Sequence, residues 1–235
     1  MRVPSVLALV LACGCGACGC GAKTGLRVPP CSDEAGLCCT PSEEICNDED
    51  DDCDGVIDDG IACFTLDGSP IDAQITERCG VAWYAYDDPD GESANPTPDI
   101  RLSGEVVVAF QYGPSCDGAS LAVIADLPMD GSGGELGASF AIDPVSAAGI
   151  LVSDEPRECT LDPGLGEGAC TWVWQPCCTD GVLLGPFDED ACVTLTLAAP
   201  VGVAHAFVLD GAGDRVERAF GTPMELCARI RPAAP

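Results

Sequence analysis

From residue 64 onward, short apolar or alternating runs are separated by clusters of Gly, Pro, Asp and Ser. Val193, Leu195 and Leu197 alternate with Thr194 and Thr196, the period of two expected of a strand with one face buried. Trp172 and Trp174 share a face in the same way. The pattern predicts strands over 81–86, 105–112, 119–125, 135–142, 150–153, 171–175, 182–187, 192–198, 203–209 and 215–220. The run Asp210-Gly211-Ala212-Gly213-Asp214 predicts a tight connection between the last two. No stretch sustains a 3.6-residue period with capping residues. Many short strands separated by turns predict a mainly β protein, with a sandwich or jelly-roll-like domain over 64–235.

The first residues follow another pattern. Met1-Arg2 leads into an apolar run over 3–12, too short to cross a bilayer and typical of an export signal. The run ends Val10-Leu11-Ala12-Cys13-Gly14, which resembles the lipobox of bacterial lipoproteins. The resemblance implies that Cys13 carries the lipid and anchors the mature chain to a membrane. Residues 1–20 are then the signal region, 21–30 a linker, and 31–63 a separate small module. Cys13, Cys15, Cys18 and Cys20 have a spacing that could suit a thiolate cluster, but they straddle the expected cleavage site.

Composition narrows the setting. The chain of 235 residues has 39 Asp and Glu against 10 Lys and Arg, a net charge of -29. Nucleic-acid partners are excluded, because phosphate binding needs clustered Lys and Arg. Eighteen cysteines argue for an oxidising compartment outside the cytoplasm. A hydrophobic fraction of 47% and a mean hydropathy of +0.21 exclude a disordered acidic tail. Six cysteines fall in 31–63 and eight beyond it, with connectivity open in both sets. The vicinal pairs Cys38-Cys39 and Cys177-Cys178 are each expected to tether two different segments.

Twelve of the acids lie in 33–59, and no Lys or Arg occurs between Arg27 and Arg78. Within this stretch, residues 50–58 read D-x-D-x-D-G-x-x-D, the first nine positions of an EF-hand-type calcium loop. Asp50, Asp52 and Asp54 occupy the alternating ligand positions. Gly55 allows the sharp turn, Val56 offers its carbonyl, and Asp58 acts directly or through water. Bringing several carboxylates together without a cation is costly: two at ~4 Å repel by ~1 kcal/mol in water and ~4 kcal/mol at an effective dielectric of 20. The twelfth loop position is Ile61 rather than Glu, so Asp59 or Glu49 is expected to compensate, or the site to be weak. The plain alternative is a solvated acidic loop.

The same residues, from Pro41-Ser-Glu-Glu-Ile-Cys46 through Cys53-Asp54-Gly55 to Asp58-Asp59-Gly60, resemble the MopE-type metal-binding motif of bacterial secreted and surface proteins. The resemblance covers roughly residues 39–63. Asp48 stands where that family commonly has Gly, and Asp59 where Glu is frequent. The family label implies copper, whereas the residues favour calcium, because copper prefers His, thiolate or Met and this chain has one His and three Met. Cys53 sits at loop position 4, between ligand positions, and Cys46–Cys53 is a candidate disulfide closing the loop.

Other candidates are weaker. His205, the only histidine, reads as a structural residue on the face of Val203, Phe207 and Leu209. Asp87, Asp88, Asp90 and Glu92 surround a Pro-Asp-Gly turn and read as a polar turn, with a second ion site or a glycosidase pair as alternatives. Motifs for a serine nucleophile elbow, a zinc protease and a P-loop are absent. The expected function is therefore non-catalytic: a cell-envelope lipoprotein, on the bacterial outer membrane or cell surface, whose sandwich binds an envelope protein or a carbohydrate. A periplasmic or secreted location is the alternative. The competing functions are a copper-scavenging surface protein and a secreted carboxylate-based hydrolase.

Overall fold

The computed structural model describes residues 41–84, 100–126, 133–153, 157–174 and 179–231, apart from 48, 59, 101, 114 and 148. The signal region, Cys13, the vicinal cysteine pairs, Asp59 and the acidic turn around Asp87 lie outside the described residues. The chain divides into two compact units between residues 59 and 60. Cys63 falls in the first strand of the second unit.

The described residues of the second unit form fourteen strands. In chain order these are β1 (Ala62–Leu66), β2 (Ser69–Ile71), β3 (Gln74–Ile75), β4 (Glu105–Tyr112), β5 (Ala119–Asp126), β6 (Gly134–Asp143) and β7 (Ile150–Ser153). They continue with β8 (Cys159–Asp162), β9 (Glu167–Trp174), β10 (Thr179–Phe187), β11 (Ala191–Leu197), β12 (His205–Leu209), β13 (Arg215–Arg218) and β14 (Met224–Ile230). One short helix, α1 (Gly80–Tyr84), precedes β4. A first sheet runs β2-β1-β14-β11-β6-β9-β8 and a second β13-β12-β4-β5-β10-β7. Pairing is antiparallel except along one edge of β4, which β12 and β3 share, both parallel to it.

The two sheets pack face to face as a sandwich. Alternation sets the inner face of the first sheet: Leu136, Ala138, Phe140 and Ile142 of β6 are buried, as are Val193, Leu195 and Leu197 of β11. They meet Val106, Val108, Phe110, Leu121 and Val123 of the second sheet in one core. Phe64 of β1 and Phe110 of β4 pack across the gap as a tilted pair with ring centroids 4.8 Å apart. Trp172 is fully buried in this core, and its indole N–H has no partner among the described residues.

The second sheet is buried on its other face too. Every residue of β5 and the six central residues of β4 are buried. Trp83 and Tyr84 of α1, together with Ile100, cover Val107, Ala109, Ala122, Ile124 and Leu183 in a second core. This is the physical reason for one difference from the sequence pattern. Residues 81–84 form a helical turn, not the start of a strand, because their aromatic side chains cap a sheet face and do not extend it. The disulfide Cys79–Cys116 ties the start of this turn to the connection between β4 and β5. Buried Gln111 assists, accepting from the Gly80 N–H at 3.2 Å and donating to the Arg78 carbonyl at 3.0 Å.

The remaining strands were legible to within a few residues, but β1, β2, β3, β8 and β14 were not predicted. The connection over 210–214 is the tight turn expected, closed by the Asp210 N–H donating to the Asp214 carbonyl at 3.0 Å. His205 begins β12 but is half exposed, and its Nδ1 lies 2.8 Å from Glu217 Oε1 on β13. Two further disulfides, Cys159–Cys170 and Cys192–Cys227, join directly paired residues of neighbouring strands. Bridges of this kind stabilise by ~2–4 kcal/mol and suit an oxidising, extracytoplasmic compartment. Among the described residues no helix is long and apolar enough to cross a membrane.

Gly181 of β10 shows how closely the second core is fitted. A Cβ there would sit 2.4 Å from the Val123 carbonyl oxygen and 2.5 Å from the Tyr84 hydroxyl. Gly181→Ala is therefore expected to destabilise the β unit by about 1–3 kcal/mol. Urea unfolding followed by tryptophan fluorescence measures it, and an unchanged midpoint would contradict this packing.

Candidate metal centre

Among the described residues of the acidic segment, polar contacts take the place of an apolar core. Asp51 organises its first half. Its carbonyl accepts from the Ser42 N–H at 2.8 Å. Its Oδ2 accepts from the Ile45 N–H at 3.3 Å and from the Asn47 Nδ2 at 3.0 Å. The side chain of Asp51 therefore turns back onto 45–47, leaving its neighbours Asp50 and Asp52 for another role.

The second half is a succession of side-chain to backbone bonds. Asp50 Oδ2 accepts from the Gly55 N–H at 2.9 Å, which folds the loop back on its first residue. Asp52 Oδ1 accepts from the Asp54 N–H at 2.9 Å, and Asp54 Oδ1 from the Val56 N–H at 2.8 Å. Such local bonds are the reason Asp is favoured at tight turns. The turn needs Gly55, whose φ of 97° is strained for any residue with a side chain. Cys53 and Asp58 also take left-handed conformations, with φ of 68° and 48°. Asp58 is buried at 2% exposure and its Oδ1 accepts from the Asn47 N–H at 3.1 Å, tying the end of the loop to the segment that precedes it.

Three carboxylates converge. Glu44, Asp50 and Asp52 each place one oxygen so that all three lie within 4.8 Å of one another. Glu44 Oε1 accepts from the Asp52 N–H at 2.8 Å, and Glu44 Oε2 is buried with no hydrogen-bond partner among the described residues. Asp50 and Asp52 were assigned as ligands from the loop spacing. Asp54 and Asp58 do not join the converging group among the described residues. Val56 donates its N–H within the loop, and its side chain is exposed.

The loop spacing gives Glu44 no role, since it lies six residues before the loop begins, outside the nine-position pattern; the signal for it is its place two residues before Cys46 in the stretch that resembles the MopE-type motif. The donors in this group are all carboxylate oxygens, the set preferred by hard divalent cations. Cys46 and Cys53 are each disulfide-bonded, so neither offers a thiolate. No family model matches the chain, and comparison with curated proteins and with solved structures finds none that matches.

With no cation bound, three converging carboxylates repel one another. Asp52 is exposed, so the cost is near the solvated limit of roughly 1 kcal/mol per pair. In chelator at low ionic strength, Asp52→Asn is expected to raise the stability of the acidic unit, and added salt to shrink the gain. Hydrogen exchange of the 50–56 amides measures both, and lower protection at every salt concentration would contradict the repulsion.

Proposed function

We propose that this chain is a non-catalytic, extracytoplasmic lipoprotein of a bacterial outer membrane or cell surface. It holds calcium in the acidic unit and presents the β-sandwich to an envelope protein or a carbohydrate. The observation that carries the calcium reading is the convergence of Glu44, Asp50 and Asp52. Three oxygens from three carboxylates, two in a loop with the D-x-D-x-D-G spacing and one from Glu44 before it, suit an ion that takes six to eight oxygen ligands. Glu44 supplies the carboxylate that the loop lacks at its twelfth position, where Ile61 stands. Copper is disfavoured by this donor set, since both nearby sulfurs are oxidised in disulfides.

The envelope reading rests on the lipobox-like sequence at Cys13 and on the disulfides. A lipid chain contributes ~0.8 kcal/mol per buried methylene, enough with two signals to hold a protein at a bilayer. The sandwich is assigned to binding because the sequence carries none of the nucleophile, zinc-protease or phosphate-binding motifs sought in it.

Calcium added to chelated full-length protein is expected to raise the melting temperature of the acidic unit, with an affinity of ~10⁻⁴–10⁻³ M typical of extracellular sites. Asp52→Ala and Glu44→Gln each remove the shift. Calorimetry measures it, and a wild-type response no larger than that of Asp52→Ala would overturn the calcium assignment. For the anchor, Cys13→Ser is expected to move the protein from the detergent phase to the aqueous phase in phase partitioning. Unchanged partitioning would overturn lipidation at Cys13.

A further inference from the structure

The disulfides that cross-link paired strands differ in the side of the sheet on which their sulfurs lie. Cys170 of β9 is 2% exposed and belongs to the main core, and Cys159 of β8 packs against it. That bridge serves as an apolar core contact at the sheet edge. Cys192 and Cys227 belong to neither core. Cys192 lies between buried Ala191 and Val193, and Cys227 between buried Leu226 and Ala228. Since strand side chains alternate, the Cys192–Cys227 bridge lies on the outer, solvent-side face of the first sheet, and both residues are half-buried.

The strands it joins do not depend on it for their placement. β11 and β14 share five directly paired residues, and β6 and β1 flank them on either side. The bridge is therefore one of several constraints on an interior part of the sheet, beside these ladders and the core packing beneath them. Cys159 on the edge strand β8 is half-buried as well, but its partner Cys170 lies in the core, so that bridge faces the inner side of the sheet.

We propose that Cys192–Cys227 is a surface thiol–disulfide exchange site, reducible by a protein dithiol while the sandwich remains folded. A thiolate of the dithiol attacks one sulfur of the bridge. The Cys192–Cys227 bond breaks, a mixed disulfide forms, and the other cysteine leaves as a thiolate that takes up a proton. The second thiol of the reductant then attacks the mixed disulfide and releases the remaining cysteine. The reductant becomes a disulfide, supplying the two electrons, and the sheet carries two thiols on paired residues. The attack depends on access to a sulfur, and both cysteines are partly exposed on the outer face.

The test uses the oxidised full chain and dithiothreitol as the dithiol, under native conditions. Free thiols are trapped by alkylation over time and assigned by mass spectrometry, with near-ultraviolet circular dichroism recorded in parallel. Cys192 and Cys227 are expected to be labelled together, at least about tenfold faster than Cys159 and Cys170, with the dichroism retained. Equal or slower labelling of the outer pair, or labelling that coincides with loss of the dichroism, would overturn the proposal. The double substitution Cys192→Ser with Cys227→Ser is a second measurement. It is expected to keep the near-ultraviolet dichroism of the oxidised chain, and loss of that signal would show that the sheet depends on the bridge and overturn the proposal.

Discussion

The second sheet has to be covered on both faces, and much of the β unit follows from that requirement. The central residues of β4 and all of β5 are buried, with apolar side chains on either side. The first sheet covers one side. Trp83 and Tyr84 of the helical turn, with Ile100, cover the other. Leaving such a face in water would forfeit ~1.5–3 kcal/mol for each large side chain exposed. Hence the short helix lies where the sequence pattern suggested a strand, and the Cys79–Cys116 bridge and Gln111 hold the segment that delivers it. Gly181 belongs to the same arrangement, since its missing side chain makes room for the Tyr84 hydroxyl.

The acidic unit follows a different principle. Its described residues include no buried apolar side chain, and its shape depends on carboxylates accepting backbone N–H groups. A hydrogen bond to a charged group contributes about 1.5–3 kcal/mol, so a few of them can fix a short loop. The same charges repel where they converge. In the proposed reading a cation reverses the sign of that repulsion and makes folding of the unit and ion binding one equilibrium. The two units thus use acidic residues differently. The 27 acids outside the segment 33–59 all lie in the β unit, where exposed carboxylates favour solubility.

Legibility varied with the kind of signal. β4 and β7 were read to the residue, because runs of apolar residues bounded by Gly, Pro and Asp clusters mark strands directly. β1, β8 and β14 escaped because their sequences are short or mixed: Cys159-Thr160-Leu161-Asp162 has no contrast strong enough to stand out. Residues 81–84 misled because Trp83 and Tyr84 favour strands in general, and only the sheet they cover makes them helical. His205 was placed in a strand, but its half-exposed position beside Glu217 depends on the partner strand β13. At the candidate site, spacing identified Asp50 and Asp52 and the turn at Gly55. It did not single out Glu44, which reaches the group from outside the loop.

The amino-acid order by itself determined the β class, most strand positions, the acidic loop and its glycine turn, because each rests on local periodicity or local hydrogen bonding. Its cysteine content also pointed to an oxidising environment, with which the disulfides are consistent. The tertiary structure decided which strands became neighbours, including the parallel edge of β4 shared by β12 and β3. It decided which cysteines faced the core and which faced solvent, and which carboxylates met. Those outcomes depend on pairing between segments far apart in the chain, and alternation along one strand carries no information about the strand that will lie beside it.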